Sequence, residues 1–264
     1  MPRKPRSILR PEEMEAVIAA SDAEWRGVLA TALYTGLREG EIFGLLKADV
    51  DLAHGVLMVS RSWDAPRTKD GKPRPLVIAP PLVPYLTAAM RSPGEHLFPR
   101  ADGRMQPRHL RLRKQLSRAL VGAGLVIGYE WRCRAWRCGW RERQPGPGVP
   151  DVCPRCERAT TWAKPIPRAV RPHDLRHSHV TAVLRTSGLA VAQQAAGHSD
   201  SRLTSDLYGH LDLTDLAAGI LRTFPAGPEG VPPNGPRLRV AGGGSDRGAT
   251  IRDHASTLPD PKVP

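Results

Sequence analysis

Between Arg38 and Tyr208 the chain sets out two arginines, two histidines, a lysine and a tyrosine in short runs suited to attack on a phosphodiester. Arg38 stands in Thr35-Gly36-Leu37-Arg38-Glu39-Gly40-Glu41-Ile42, and Lys69 in Thr68-Lys69-Asp70-Gly71-Lys72. His173 and Arg176 share the run His173-Asp174-Leu175-Arg176-His177-Ser178-His179-Val180-Thr181. His198 falls in Gly197-His198-Ser199, and Tyr208 in Leu207-Tyr208-Gly209-His210-Leu211. A phosphodiester attacked by an oxygen nucleophile gathers negative charge on its non-bridging oxygens. Two guanidinium groups can hold those oxygens with planar forks that keep their charge near neutral pH. Losing one such preorganised donor costs roughly 10²–10³ in rate. A tyrosine, with an ordinary pKa of about 10, attacks poorly while protonated, and cationic neighbours with an adjacent base lower that barrier. The departing oxygen needs a proton, which a lysine or a histidine can give.

The elements that must position these side chains are mostly helical. Pro11, the acids after it and the stripe Met14, Val17, Ile18 predict a helix over 11–20. A second is predicted over 24–35, with Trp25, Val28, Leu29, Ala32 and Leu33 on its apolar side and Gly36 as its stop. Arg38 then opens a short helix holding Ile42, Leu45 and Leu46. Val56–Val59 and Pro75–Ile78 read as paired strands, with Asp70-Gly71 as the turn signal between them. Further helices are predicted near 82–91, 107–121, 172–186, 189–196, 200–208 and 212–223. In the 107–121 helix, Leu112, Leu116, Ala119 and Leu120 share one side while Arg111, Lys114 and Arg118 share another. Arg100, Arg104, Arg108, Arg111, Arg113, Lys114 and Arg118 have only Asp102 among them, a one-sided cluster suited to phosphate contact. His173 and Arg176, three apart, lie on one helix face, and Asp174 suits capping of that helix. Taken singly, Arg38 could pair with Glu39 or Glu41, Lys69 could be a solvated turn residue, and Tyr208 could be packing at a helix end. A metal site at His177 and His179 is not expected, since no carboxylate cluster accompanies them.

Composition sets the bounds. A chain of 264 residues with net charge +13 and pI near 10.3 calls for a polyanionic partner. No apolar run reaches the roughly 18 residues of a membrane span, and Met1-Pro2-Arg3-Lys4-Pro5-Arg6 lacks the apolar stretch of a signal peptide, so a cytoplasmic protein is expected. Residues 1–7 read as a basic arm, 8–223 as the catalytic domain and 224–264 as a disordered Pro/Gly-rich tail.

Cys133 and Cys138 have four residues between them, fourteen follow, and Cys153-Pro154-Arg155-Cys156 completes the set. These four are the chain's only cysteines, and in a reducing compartment such spacing reads as a structural zinc site. Four thiolates would leave the ion no open position for catalysis. A small zinc ribbon over 129–163 is therefore expected as an insertion, with Arg132, Arg134, Arg137, Arg141, Arg143 and several tryptophans suited to DNA or protein contact.

The order, wording and spacing of the runs around Arg38, His173, Arg176, His198 and Tyr208 resemble the catalytic set of the tyrosine recombinases, the phage-integrase family. The resemblance covers about 8–223 apart from the insertion. It implies a mainly α catalytic domain with a small β-hairpin or sheet, of the DNA breaking-rejoining type. It further implies a site-specific recombinase or integrase that cleaves and rejoins double-stranded DNA through a 3′-phosphotyrosyl intermediate, with neither ATP nor a catalytic metal. In that scheme Arg38 and Arg176 clamp the phosphate, and Lys69 (or, failing it, Lys72) protonates the leaving oxygen. His173 and His198 assist, Tyr208 attacks, and Glu41 matches the family's acidic partner. A homo-oligomer, up to a tetramer on DNA, and no membrane are implied as well. The cysteine insertion departs from the family pattern, and so does the lack of an N-terminal helical clamp ahead of residue 8. The second departure leaves an alternative, a truncated DNA-binding remnant that no longer recombines. Type IB topoisomerases share the chemistry, but the wording around Arg176 and Tyr208 fits recombinases better.

Overall fold

Pro11 opens helix α1 (Pro11–Ala19), and Glu13, one turn in, accepts the Arg10 backbone N–H at 2.9 Å. In this computed structural model residues 7–63, 65, 73–107, 112–196 and 213–224 are described. The predicted helix at 200–208, most of the basic arm and the tail beyond Phe224 lie outside them.

Helix α2 (Ala23–Thr35) runs through the core, with Leu29, Ala30 and Leu33 wholly buried. Truncating such a leucine to alanine typically costs about 2–5 kcal/mol. The helix stops where expected, at Gly36 in the left-handed conformation with φ 65. Helix α3 (Glu39–Gly44) is shorter than predicted: Leu45 is already extended, its N–H bonded to the Ile42 carbonyl at 3.3 Å.

A three-stranded antiparallel sheet follows, with β1 (Val50–Asp51), β2 (Val56–Val59) and β3 (Arg74–Val77) in that order. The register Val56 to Val77 and Val59 to Arg74 pairs the two predicted strands. The turn segment Thr68–Lys72 lies outside the described residues. The sequence reading missed β1, which two residues are too few to announce by alternation. Helices α4 (Val83–Ala89) and α5 (Leu112–Gly122) come next. In α5 the predicted Leu112, Leu116, Ala119 and Leu120 are the buried side, while Lys114 and Arg118, and Arg113 beside them, are exposed; Arg108 and Arg111 lie outside the described residues.

The cysteine segment forms a second antiparallel sheet, β4 (Val126–Cys133), β5 (Arg141–Gln144) and β6 (Thr161–Pro167), in the order β5-β4-β6. Its base is tied to the helical body. The Arg168 N–H donates to the Leu125 carbonyl at 2.8 Å, and the Arg168 guanidinium meets Glu13 at 2.9 Å. Helix α6 (Pro172–Ala196) breaks at Gly188, with φ 83 and ψ 174, between the two predicted segments. Helix α7 (Leu213–Thr223) packs on α6, and Ser187 Oγ donates to the Gly219 carbonyl at 2.8 Å. Among the described helices none is long and apolar enough to cross a membrane. The architecture is a mainly α domain with small antiparallel sheets.

Candidate active site and cysteine cluster

The turn at Gly36 links the two predicted arginines: one bonds to its backbone, and the other follows it by two residues. Arg176, on the second turn of α6, is buried at 3% exposure, and its Nη1 donates to the Gly36 carbonyl at 2.8 Å. Arg38, two residues past Gly36, is the residue before α3 and keeps 27% of its side chain exposed. Arg176 thus reaches a backbone turn 140 residues earlier in the chain. Gly36 suits this turn for two reasons. Its φ is strained for other residues, and an added Cβ would stand 2.7 Å from the His179 ring.

Glu41 fixes Arg38 in place. Its Oε2 accepts the Arg38 backbone N–H at 2.9 Å, and its Oε1 meets the Arg38 Nη1 at 3.0 Å. Arg74, at the start of β3, reaches the same carboxylate at 2.9 Å. Burial alone would raise the pKa of Glu41, which is 1% exposed, but the contacts with Arg74 and Arg38 hold it below the usual carboxylate value. A buried acid with two cationic partners and a backbone donor is satisfied, so it orients Arg38. Of the two acids beside Arg38, Glu41 is the partner; burial pushes the Glu39 carboxyl up. Sequence reading did not single out Arg74. Its signal was the position opposite Val59 at the strand end nearest α3, which only the register reveals.

His173 begins the first turn of α6, exposed, with its ring edge-on to His177 at 4.8 Å between centroids. Asp174 has the expected capping part, its carboxylate accepting the Arg171 N–H at 2.9 Å. His179 is packing rather than a ligand. It is 1% exposed, donates from Nδ1 to the Leu33 carbonyl at 3.1 Å, and stacks on Phe224. Burial, helped by the nearby Arg176 charge, brings its pKa down to about 4. The structure therefore seats Arg176 on the backbone two residues before Arg38, with His173 one helical turn before Arg176. Lys69, Lys72, His198 and Tyr208 lie outside the described residues.

A cavity of about 610 Å³ lies at the other end of α2, lined by Trp25, Val28, Tyr85, Leu97 and Phe98 among others. Ten residues along α2 separate Trp25 from Thr35, roughly 15 Å by helical rise, so this space is distinct from the arginine turn.

The four cysteines converge at the end of the second sheet, their sulfurs all within 4.8 Å of one another. Cys133 to Cys156 and Cys138 to Cys153 are each 3.7 Å apart. Disulfide sulfurs would be about 2.05 Å apart, whereas thiolates about 2.3 Å from one tetrahedral ion stand about 3.8 Å apart. Backbone N–H groups of Ala135 and Arg155 point at the Cys133 and Cys153 sulfurs, at 3.3 and 3.4 Å. Burial pushes the Cys133 thiol up to about 12, while the Arg158 backbone N–H draws Cys156 down to about 7. The donor set and its spacing fit a closed, four-coordinate zinc site.

No family model matches the chain. A protein described as an integrase/recombinase from Escherichia coli is 28% identical over 214 residues, 77% of this chain and 59% of that protein. The tyrosine recombinase XerC of Xanthomonas campestris pv. campestris (strain B100) is 28% identical over 228 residues, 82% of this chain and 55% of that one. The chain thus spans little more than half the length of these curated relatives. Among solved structures, XerA recombinase superposes with a TM-score of 0.51 at 23% identity, covering 83% of this chain and 65% of that one. The Tn1549 transposon integrase in complex with circular intermediate DNA gives 0.51 at 18% identity, covering 83% and 67%. The chain is thus similar in sequence to an integrase/recombinase and to a tyrosine recombinase, and it shares its fold with solved enzymes of that kind.

Proposed function

We propose that the chain is the strand-transfer domain of a site-specific DNA recombinase or integrase. Tyr208 attacks the scissile phosphate, forming a 3′-phosphotyrosyl link and releasing a 5′ hydroxyl. Arg38 and Arg176 hold the non-bridging oxygens, Lys69 gives the leaving oxygen its proton, and His173 and His198 assist in proton transfer and charge stabilisation. The bond energy stays in the covalent link, so religation needs neither ATP nor a metal. The seating of Arg176 on the Gly36 carbonyl, two residues before Arg38, carries this reading, because two guanidinium groups held near one turn suit a single phosphate. Because Arg176 is nearly buried, a phosphate reaching it must displace the groups that cover it, which makes DNA engagement a conformational step.

Placement of the other tyrosines supports Tyr208 as nucleophile. Tyr34 is buried against Phe224, and that burial raises its pKa, the opposite of activation. Tyr85 lines the cavity at the far end of α2, and Tyr129 belongs to β4. The partner in this reading is double-stranded DNA at recombination sites, engaged by a homo-oligomer that reaches a tetramer, in the cytoplasm. Cys133, Cys138, Cys153 and Cys156 hold a structural Zn²⁺, as their thiolate-range spacing supports. The test is trapping. Nicked duplexes with bridging phosphorothiolates and randomised cores should give a denaturation-resistant DNA adduct that Tyr208→Phe abolishes. A protein that binds these duplexes and never forms the adduct is a DNA-binding remnant, and the strand-transfer reading fails.

A further inference from the structure

The register of the second sheet sorts its side chains into two unlike faces. Arg132 pairs directly with Arg141 and Trp162, while Glu130 pairs with Arg143 and Lys164. Directly paired residues project from the same side, and positions two apart along a strand share it. One face therefore carries Arg132, Arg141, Arg143, Lys164, Trp162 and Glu130. The other carries Trp131, Cys133, Thr161 and Ala163, with Glu142 and Gln144 along its β5 edge. The second face is partly covered: Thr161 is buried, and the Trp131 indole donates to the Gly146 carbonyl at 3.0 Å, while Glu142 at its β5 edge is exposed. On the first face Arg141, Arg143, Lys164 and Trp162 are all exposed.

That outward face holds four cations and one acid. Glu130 is in close contact with Arg132, and the positive charge of Arg141 and Lys164 further favours its ionised form. Arg132 and Arg141 sit directly opposite each other, a like-charge pairing that weakens a sheet unless an anion lies across it. By backbone position Arg132 and Arg141 stand about 5 Å apart across strands, Arg141 and Arg143 about 7 Å apart along β5, and Lys164 about 10 Å from Arg143 with Glu130 between them, spacings suited to a line of phosphates. Trp162 does not offer a free stacking surface, because the Arg132 guanidinium lies 5.9 Å over its ring. A base-stacking platform for single strands is therefore disfavoured. A membrane is disfavoured too, because the four cations outnumber the apolar Trp162 and Ile166 on this face.

We infer that the Arg132, Arg141, Arg143 and Lys164 face of the cysteine-anchored sheet is a second DNA-binding surface, gripping the phosphate backbone of duplex DNA away from the Arg38–Arg176 turn. The choice of DNA as the polyanion rests on the proposed function; the binding itself does not depend on cleavage by Tyr208.

The experiment measures affinity of the full zinc-loaded chain for a fluorescent duplex, by anisotropy, across a salt series. Removing one cation from a phosphate should flatten the plot of log affinity against log salt by about 0.9. Arg143→Ala should lower the slope by about 1, and the triple variant Arg141→Ala/Arg143→Ala/Lys164→Ala by about 2–3, with affinity at about 0.1 M salt falling roughly tenfold or more. Trp162→Leu should leave the slope unchanged. The exposed Arg91→Ala, on another element, is the control. An unchanged slope in Arg143→Ala and in the triple variant, with zinc content intact, overturns the proposal. So does a loss confined to single-stranded DNA. Adduct formation on phosphorothiolate duplexes, scored separately at saturating protein, reports the cleavage site; its failure with salt slopes shifted as stated would count against Tyr208 and not against this face.

Discussion

Arg176 Nη1 donates to the carbonyl of Gly36 at 2.8 Å, so the residue that ends α2 also seats the second arginine of the site. Replacing Gly36 should therefore disturb fold and chemistry together. Gly36→Ala forces a left-handed backbone on a residue that resists it, at about 1–2 kcal/mol, and drives Cβ into the His179 ring. A total loss of about 2–4 kcal/mol in urea unfolding is expected. Gly36→Asn, which tolerates the backbone but keeps the clash, should recover only part of it.

Arg38 and Glu41 should separate activity from stability. Arg38→Ala leaves Glu41 paired with Arg74, so stability should change by about 1 kcal/mol or less. The same variant removes a phosphate donor, and the rate of adduct formation should drop roughly 10²–10³-fold. Glu41→Gln removes the buried charge that Arg38 and Arg74 share, and unfolding should show a loss on the order of 3 kcal/mol. Equal stability losses in the two variants would contradict this division.

Acid should loosen the turn through His179. Its pKa falls from the ordinary 6.5 to about 4 because it is buried, with the Arg176 charge adding to the effect. An unfolded chain takes up that proton near pH 6.5 and the folded chain only near 4, so stability falls as pH drops through this window. The total is on the order of 3 kcal/mol. Glu13, lowered to about 2 by its bond to Arg168, adds a second loss as pH falls below about 4.5. Melting temperatures from pH 7 to 4 should decline for the wild type and decline less for His179→Gln.

Removing metal should unmake the second sheet's tip and spare the helices. Mass spectrometry should find one zinc per chain, released after the thiols are modified. Cys153→Ala, at the buried sulfur, should abolish zinc binding and change the fluorescence of Trp131 and Trp162 while leaving most helical circular dichroism. Zinc-free protein with wild-type melting behaviour would contradict a structural ion.

Much of this was legible because the signals were local. Gly36 and Gly188 end helices through backbone freedom that the sequence displays, and the α5 apolar stripe needs only helical spacing. Cys133, Cys138, Cys153 and Cys156 announced themselves by number and interval. Arg74 did not, since its pairing with Glu41 depends on strand register and on how α3 meets β3. Nor did the seat of Arg176 on a backbone carbonyl, which no residue type encodes. His179 was not expected to bind metal, but its place as the packed ring beneath Gly36 also needed the structure. The two faces of the cysteine sheet also required the pairing of β4 with both neighbours.

The most direct measurement is the identity of the residue joined to DNA. Wild-type protein trapped on a bridging-phosphorothiolate duplex, digested and sequenced by mass spectrometry, should carry the nucleotide on the peptide that contains Tyr208. Arg38→Ala and Arg176→Ala should lower its yield and leave its position unchanged. A covalent nucleotide on Tyr34, Tyr85, Tyr129 or any other residue, or none from protein that binds the duplex, would contradict the assignment.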